Sequence, residues 1–366
     1  MQAVVPSFDA QTALMRGIIQ RVATGPELSK DIAREEARAA MRLILDGAAD
    51  PVQAGVMLIA LRMKRESDDE LLGVLDAVLE STQRTVADVD ELIDLADPYD
   101  GYARTLPVAP FLPAVLAACG LPTVSHGVRS LGPKYGLTHH QVLAACGCAV
   151  DLDGAAVARR LADPQCGWGY VDQRAFNPKL YALVDLRTRI VKRPALTTVE
   201  TFASPLRARG RTHLVTGFVH KPYPRIYAML ARAAGFDSAL IVRGVEGGVV
   251  PSLRASGRAY ALHDGGAEQP VELRAADFGL AEELRPPALA REGEEGATSD
   301  FHALLAATCE QGLAALAGAA GAMRDNLVCA AATILWHVGR HASRAEAAQQ
   351  VRHVLDDGSA LARFRR

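Results

Sequence analysis

The sequence predicts an α/β protein with a smaller, all-helical domain at its N-terminus. Residues 29–80 show helical periodicity and helix-capping motifs, whereas short apolar strands alternate with alanine-rich helical segments after residue 86. The length of 366 residues also favours two domains over one. We therefore predict a helical domain at residues 1–85 and a large α/β domain with a mostly parallel central sheet at residues 86–366.

Two local motifs mark helix starts in the N-terminal block. Asp50-Pro51 combines an N-cap residue with a proline at the first helical position. Ser67 and Glu70 form a capping box that opens the next helix. Between these motifs, apolar residues recur at helical spacing and give the helix one apolar face. They are Val52, Val56, Ile59 and Met63.

Four apolar runs after residue 86 have the length and composition of buried strands. These runs are Leu92–Leu95, Thr123–Ser125, His213–Phe218 and Ala239–Val242. The segment 213–243 has the pattern of one β-α-β unit, whose helix begins near Pro224 and ends at Gly235. Alternation of this kind predicts helices packed on a mostly parallel sheet.

The C-terminal third begins with a predicted hairpin, formed by Arg258–His263 and Val271–Arg274. Residues 285–300 are rich in proline, glycine and charge, which predicts an exposed loop. Residues 301–364 return to a helical pattern, with a second capping box from Ser343 to Glu346.

Composition indicates a soluble globular protein of the cytoplasm. Hydrophobic residues make up 49% and charged residues 22% of the chain, and no apolar run approaches the roughly 20 residues of a membrane helix. The first residues have neither a basic region nor an apolar core, so we expect no signal peptide and no membrane association. Six cysteines without a CxxC pair indicate a reducing compartment.

Basic residues are concentrated between residues 174 and 225. Only Asp185 and Glu200 oppose eleven Lys or Arg residues there, a formal charge of +9, so the rest of a chain of net charge −2 carries −11. The cations are Arg174, Lys179, Arg187, Arg189, Lys192, Arg193, Arg207, Arg209, Arg211, Lys221 and Arg225. This asymmetry is expected of a protein that binds phosphate-bearing partners. The alternative is a set of solvated helix faces whose counter-charges come from elsewhere in the fold.

The segment ADPYDGYARTLPVAP, residues 96–110, connects a predicted strand to a predicted helix. Phosphate-binding loops at such a position are usually rich in glycine, because backbone N–H groups must approach the anion closely. This loop has one glycine, Gly101, with two tyrosines and three prolines. Tyr99 and Tyr102 could stack on bases or sugars and Asp100 could bond a ribose hydroxyl, or the loop could be a rigid packing element.

Several longer segments, taken in order, resemble the anthranilate phosphoribosyltransferase family, which is grouped with the pyrimidine nucleoside phosphorylases in glycosyltransferase family 3. They are LSKDIAREEARAAMRLILDGAADPVQAGVMLIALRMKRESDDELLG (28–73), HGVR (126–129), PKYG (133–136), RAADFGL (274–280) and RDNLVCAAATILWHVGRHASRAEAAQQVRHVLDDGSAL (324–361). The resemblance implies the family's two-domain fold, a homodimer formed through the helical domains, and a ligand cleft between the domains. We also expect helices from about residues 175–200 to join the helical domain.

The motifs that bind phosphoribosyl pyrophosphate in the family are altered here. Its GTGGD loop and N-x-S-T turn correspond to residues 97–101 (DPYDG) and 107–110 (PVAP), and its K-H-G-N-R motif to residues 125–129 (SHGVR). The acidic pair that holds magnesium in the family falls at Val249-Val250, and valine cannot ligate magnesium. We therefore expect anthranilate activity to be lost, no certain cofactor, and magnesium only if a diphosphate donor is bound.

Candidate ligand-binding residues come from the motifs of the loop, from HGVR and PKYG, and from the basic stretch. They are Tyr99, Asp100, Gly101, Arg104, His126, Gly127, Arg129, Lys134, Lys179 and Arg193. Arg129 and Lys134 keep family positions beside the cleft, and Arg193 lies near the family's acceptor-binding arginine; otherwise these cations are surface charges. His139-His140 near Cys146 and Cys148 fits no usual zinc spacing, so we predict no metal site. No catalytic residue is assigned.

Two functions are consistent with these residues. The first, slightly favoured, is a non-catalytic dimer that binds nucleic acid through a basic cleft or groove, aided by aromatic residues among the cations. Those aromatic residues are Tyr170, Phe176, Tyr181, Phe202, Phe218, Tyr223 and Tyr227. The second is an active pentosyl transferase that uses a phosphoribosyl pyrophosphate-like donor and an unidentified acceptor. A sensor of a small phosphorylated metabolite is a third possibility.

Overall fold

The computed structural model describes residues 9–25, 27–252, 257–280, 286–287 and 300–366. The predicted loop at residues 285–300 lies outside the described residues except for 286, 287 and 300. The chain divides into two compact units, one formed by residues 1–82 and 177–203 and the other by residues 83–176 and 204–366. Among the described residues, no helix combines the length and apolar character needed to cross a membrane.

Helices and strands are numbered along the chain. The helices are α1 (Ala10–Val22), α2 (Arg34–Leu45), α3 (Pro51–Lys64), α4 (Asp68–Ser81), α5 (Leu112–Ala118), α6 (His139–Ala145), α7 (Gly154–Ala162), α8 (Gln173–Phe176), α9 (Pro178–Tyr181), α10 (Val184–Ile190), α11 (Ala195–Val199), α12 (Tyr223–Ala234), α13 (Phe301–Leu316), α14 (Ala322–His337), α15 (Arg344–Asp356) and α16 (Ser359–Phe364). The strands are β1 (Thr85–Ala87), β2 (Glu91–Ala96), β3 (Thr123–Gly127), β4 (Trp168–Asp172), β5 (Leu206–Ala208), β6 (Arg211–Gly217), β7 (Ser238–Val242), β8 (Gly257–His263) and β9 (Gln269–Leu273). Short 3₁₀ turns lie at Ala109–Phe111, Glu200–Phe202, Val245–Gly247 and Ala275–Phe278.

The smaller unit is a bundle of α1–α4 and α9–α11. Both predicted helix starts are confirmed, because the side chain of Asp50 caps α3 and Ser67 and Glu70 form the capping box of α4. Helices α2 and α4 approach closely at Gly73, where a Cβ atom would lie 2.3 Å from the carbonyl oxygen of Arg34. Only glycine is compatible with that helix–helix distance.

The predicted apolar face of α3 lies at the surface of this unit. Val52, Val56 and Met63 are 73%, 41% and 74% exposed. The residues that α3 buries lie on its opposite face, and they are Ala54, Met57, Leu58 and Leu61. Helix α3 therefore presents an apolar stripe to solvent, which in a soluble protein often marks an interface.

The described residues of the larger unit form a seven-stranded sheet in the order β4-β3-β2-β6-β7-β8-β9. Strands β4, β3, β2, β6 and β7 are parallel, and β8 and β9 form an antiparallel hairpin at one side. This confirms the four predicted strands, the hairpin and the mostly parallel sheet. Strand β4 and the small parallel pair β1–β5 were not predicted.

The predicted β-α-β unit is confirmed as β6–α12–β7. Helix α12 ends at Gly235, whose φ of +80° is a left-handed cap conformation that glycine adopts without steric cost. Strands β6 and β7 are parallel neighbours, as a crossover through one helix requires. Helices α5, α14 and α15 contribute to one large hydrophobic core together with residues of the sheet.

The start of the parallel strands carries a buried polar network. The imidazole of His213 lies 3.0 Å from Glu91 and 2.7 Å from the hydroxyl of Ser238, which in turn lies 3.0 Å from Nε2 of His337. The ring of His263 stacks on that of His337 at 4.5 Å between centroids. Burial, together with the neighbouring imidazoles, lowers the pKa of His337 to about 3.

This network predicts that the larger unit loses stability in mild acid. Because an unfolded histidine has a pKa of about 6.5, the unfolded chain binds the proton first, and the free energy of unfolding falls as the pH drops below that value. His337 alone contributes a loss of about 2 kcal/mol between pH 7 and pH 5. Urea unfolding of His337→Gln should show a shallower pH dependence than the parent. His353→Gln, at an exposed position of α15, is the control, and equal pH dependence in both variants would contradict the assignment.

Candidate functional site

The carboxyl ends of the parallel strands bring the sequence-predicted loops to one edge of the sheet. The loops are residues 97–108 after β2, 128–138 after β3, 218–222 after β6 and 243–250 after β7. In open α/β sheets, ligands bind outside this edge. The candidate site is built from these loops of the larger unit.

The loops after β2 and β3 are joined by backbone hydrogen bonds. The N–H of Tyr102 donates to the carbonyl of Leu137 at 3.0 Å, the N–H of Leu137 donates back at 2.7 Å, and the N–H of Gly136 donates to Asp100 at 2.8 Å. Gly101 has a φ of +72°, and a Cβ atom there would lie 2.6 Å from backbone atoms of Gly136. The single glycine of the loop thus serves this close approach between two chain segments.

Tyr99, His126 and Asp94 form a buried hydrogen-bonded series. The Tyr99 hydroxyl bonds Nδ1 of His126, whose Nε2 lies 2.7 Å from Oδ1 of Asp94. The side chains of His126 and Asp94 are fully buried, and Tyr99 is 4% exposed. His126 therefore binds two side chains, and Tyr99 presents almost no ring surface on which a base could stack.

Asp97 connects three parts of the site. Its Oδ1 accepts hydrogen bonds from the Tyr102 hydroxyl and the N–H of Val249, both at 3.0 Å, and its Oδ2 lies 3.0 Å from Nε2 of His139. Burial and the negative charge of Asp97 raise the pKa of Tyr102 well above its usual value, so this hydroxyl stays a donor.

A small recess of about 10 Å³, with room for about one water-sized group, lies beside these two histidine–carboxylate pairs. Within the described part of the chain, Nδ1 of the buried His139 has no hydrogen-bond partner. The recess is lined by Asp97, Pro98, Tyr99, His126, Gly127, Val128, Thr138 and His139. A recess of this size could hold a water molecule or one small polar group.

The carboxylate of Glu246 occupies a cradle of donors in the loop after β2. It accepts hydrogen bonds from the backbone N–H groups of Ala103, Arg104 and Thr105 at 3.1, 2.9 and 3.0 Å, and from the Thr105 hydroxyl at 2.9 Å. The Lys134 ammonium lies 2.9 Å away. Burial by itself would raise the pKa of Glu246. The positive charge of Lys134 and these hydrogen bonds lower the pKa by more than burial raises it, so the pKa of Glu246 lies below its usual range.

The residues at the family's magnesium position do not fit a metal ion. Val249 and Val250 are 1% and 3% exposed and belong to the hydrophobic core. Glu246, the nearest carboxylate in sequence, is committed to the cradle at residues 103–105. Among the described residues, no group of three or more His, Cys, Asp or Glu side chains is arranged to hold a metal ion.

Several cations of the basic stretch pair with carboxylates from outside it. Lys179 pairs with Asp46 at 2.6 Å in the helical unit, and Arg209 pairs with Asp88 at 2.7 Å in the larger unit. Similar contacts join Arg174 to Asp151 and Asp172, and Arg211 to Asp264. The counter-charge interpretation therefore accounts for these cations, and the formal charge of +9 overstates the positive surface.

The predicted ligand residues fall into three groups. Tyr99, Asp100, Gly101, His126 and Gly127 lie together in the interior of the site. Lys134 and the largely exposed Arg104 flank Glu246, and Arg129 is exposed after β3. Lys179 and Arg193 belong to the helical unit.

Sequence analysis did not single out Asp94, Asp97, His139 or Glu246 as site residues. Asp94 did carry a signal, because a carboxylate inside the apolar strand ELIDLA must find a buried partner. His139 is 42 residues from Asp97 and Arg104 is 142 residues from Glu246, and no local pattern indicates these contacts.

Comparisons with known proteins agree with this architecture. Residues 16–82 match the model described as "Glycosyl transferase family, helical bundle domain", and residues 102–361 match "Glycosyl transferase family, a/b domain". The chain is 31% identical to an uncharacterized protein of Aquifex aeolicus over 61% of this chain and 65% of that protein. It is 28% identical to an anthranilate phosphoribosyltransferase of Xanthobacter autotrophicus over 95% of this chain and 94% of that enzyme.

A solved structure of anthranilate phosphoribosyltransferase from Saccharomyces cerevisiae, in complex with PRPP and Mg, superimposes with a TM-score of 0.74 at 15% identity. The match covers 97% of this chain and 96% of that chain, which shows the shared fold. Both domain models describe one family and together match most of the chain: the chain belongs to this glycosyl transferase family, and the proteins similar to it include anthranilate phosphoribosyltransferases.

Proposed function

We propose that this chain binds phosphate-bearing ligands at the carboxyl edge of its sheet, with the phosphate backbone of nucleic acid as the favoured ligand. Anthranilate phosphoribosyl transfer is lost in this proposal. The observation that carries it is a row of exposed cations supplied by adjacent loops.

Each of four adjacent loops contributes an exposed cation to this edge. They are Arg104 after β2, Arg129 after β3, Lys221 after β6 and Arg243 after β7. Within the described residues, Arg129, Lys221 and Arg243 make no ion pair. The nearby carboxylates Asp94, Asp97, Asp172 and Glu246 have buried side chains, so the charge that faces solvent is positive.

The row is longer than a single phosphate group. Adjacent strands are about 4.8 Å apart, so loops from β3 to β7 span roughly 14 Å. One strand of a duplex carries a charge about every 3.4 Å, so several phosphates fit along this distance. A polyanion matches this arrangement better than one small phosphorylated metabolite.

Aromatic side chains at this edge favour nucleic acid over other polyanions. Tyr135, beside Lys134, is 48% exposed, and His220 beside Lys221 is also exposed. Aromatic residues among cations allow bases to stack while the backbone is held electrostatically. These are not the aromatic residues that the sequence analysis expected in this role. Four of those residues are buried and cannot stack on a base, namely Tyr170, Phe176, Phe202 and Phe218.

The active transferase is the second candidate function, favoured by the 28% identity to an anthranilate phosphoribosyltransferase over 95% of this chain. The yeast relative was solved with PRPP and Mg. In this chain a donor would have to bind without the acidic pair, since Val249 and Val250 are buried in the core. The backbone N–H groups of residues 103–105, which could otherwise bind a donor phosphate, already donate to the Glu246 carboxylate.

We also propose that the chain forms a homodimer through its helical unit. The support is the apolar stripe of α3, where Val52 and Met63 are each more than two-thirds exposed. A second copy of this chain would cover the same stripe by two-fold symmetry.

Oligonucleotide binding tests the main proposal. Fluorescence anisotropy with a single-stranded oligonucleotide should show an affinity that falls with salt, with a log–log slope of about −0.7 for each phosphate neutralised. Arg129→Ala and Lys221→Ala should each weaken binding and reduce the slope by about 0.7.

Arg209→Ala is the matched control for this experiment, because it removes the same charge from a residue paired with Asp88. It should leave the affinity within about two-fold of the parent. Absence of oligonucleotide binding at low salt, or an equal loss in Arg209→Ala, would refute the proposed surface.

Calorimetric titration with phosphoribosyl pyrophosphate, with and without magnesium, separates the two functions. We expect no magnesium-dependent heat at millimolar ligand, because valines replace the acidic pair and magnesium requires oxygen ligands. Magnesium-dependent binding in the micromolar range would instead support the transferase.

Sedimentation analysis tests the dimer. Val52→Glu combined with Met63→Glu should convert the dimer to a monomer, since two charges would be buried in an apolar interface. Val86→Glu, at a 62% exposed valine of the larger unit, is the control and should stay dimeric. A parent protein that sediments as a monomer would rule out the interface.

A further inference from the structure

The contact between Glu246 and residues 103–105 has the form of an anion bound in a backbone cradle. Three consecutive N–H groups, one hydroxyl and one ammonium converge on a single carboxylate, all within 3.1 Å. Consecutive N–H groups that point to one side form concave anion sites, and phosphate groups commonly occupy them. The donor set of this cradle matches a phosphate at least as well as a carboxylate, because phosphate offers more acceptor oxygens.

The backbone at Glu246 is held in an unfavourable conformation. Its φ of +51° lies in the left-handed region, which a residue with a side chain adopts only with backbone strain. Glycines at positions 244, 247 and 248 surround it in the sequence GVEGG. Because Gly244 and Gly248 are closely packed against neighbouring backbone and Tyr102, the part of this contact that is free to move is the Glu246 side chain.

We propose that residues 103–105 and Lys134 form a phosphate-binding site that Glu246 occupies in cis, so that a phosphate ligand and the Glu246 carboxylate compete for it. Binding of phosphate displaces the Glu246 side chain from these donors, while Val249 and Val250 stay in the hydrophobic core. This inference deepens the proposed function, on which it rests for the chemical class of the ligand, and adds an autoinhibitory contact to it.

The competition sets the size of the expected effect. A tethered group acts at an effective concentration in the millimolar range or above, so an external phosphate must exceed that concentration to displace it. Removal of the tethered carboxylate should therefore raise the affinity for free phosphate by at least about ten-fold. The neighbouring Lys134 ammonium would then pair with the phosphate.

Inorganic phosphate is the probe for this site. Isothermal titration should show at least about ten-fold tighter binding to Glu246→Ala than to the parent. Backbone amide resonances of Ala103, Arg104 and Thr105 should shift on titration. Glu246→Gln, which keeps an acceptor oxygen but loses the charge, should show an intermediate gain. Glu268→Ala, which removes a partly exposed carboxylate paired with Arg232, is the control and should show no gain.

Each outcome decides the proposal. Equal, weak phosphate binding by the parent, Glu246→Ala and Glu268→Ala would mean adventitious ion binding and would overturn it. Folded Glu246→Ala or Glu246→Gln without amide shifts at residues 103–105 would also overturn it. If neither variant folds, saturating phosphate must shift these three amides in the parent, and a parent without such shifts refutes the site.

The same proteins separate this inference from the proposed function. A gain of phosphate binding in Glu246→Ala without oligonucleotide binding by any variant would keep the cradle and reject the nucleic-acid role. Oligonucleotide binding that depends on Arg129 and Lys221, with no phosphate gain in Glu246→Ala, would keep the surface and reject the cradle.

Discussion

The buried carboxylate of Asp97 holds the loops of the candidate site in place. A charged group removed from water is stable only when its hydrogen bonds are satisfied, and Asp97 satisfies them with the Tyr102 hydroxyl, His139 and the N–H of Val249. These partners come from three different segments of the larger unit. Loss of this carboxylate would leave all three segments without a common partner.

The same interactions determine where the hydrogen-bond donors of this loop point. In a diphosphate-binding loop, backbone N–H groups must point toward the ligand. Here the N–H groups of residues 103–105 point at Glu246, and the tyrosines at 99 and 102 bond side chains of the protein itself. Polar groups in the interior of the loop are thus committed to structure, while exposed cations remain on its rim. A surface of this kind suits an extended polyanion.

Much of the fold was predictable because its signals are local. Apolar runs predicted the strands at residues 92–95 and 239–242, and the capping residues Asp50 and Ser67 predicted two helix starts. Each of these signals depends only on residues within one strand or one helical turn. Strand β4 was missed because WGYVD is short and contains a glycine. The β1–β5 pair joins residues that are far apart in sequence, and its strands span only three residues each.

By itself, the sequence determined the fold class, the family resemblance and the loss of the acidic pair at Val249-Val250. These three conclusions require only the residue types and the order of short motifs along the chain. Only the tertiary structure decided which charges stay exposed and which are neutralised. The contact of Glu246 with Arg104 spans 142 residues, and that of Lys179 with Asp46 spans 133. Such pairings arise when distant segments are brought together by burial of a common core, and no periodicity in the chain encodes them.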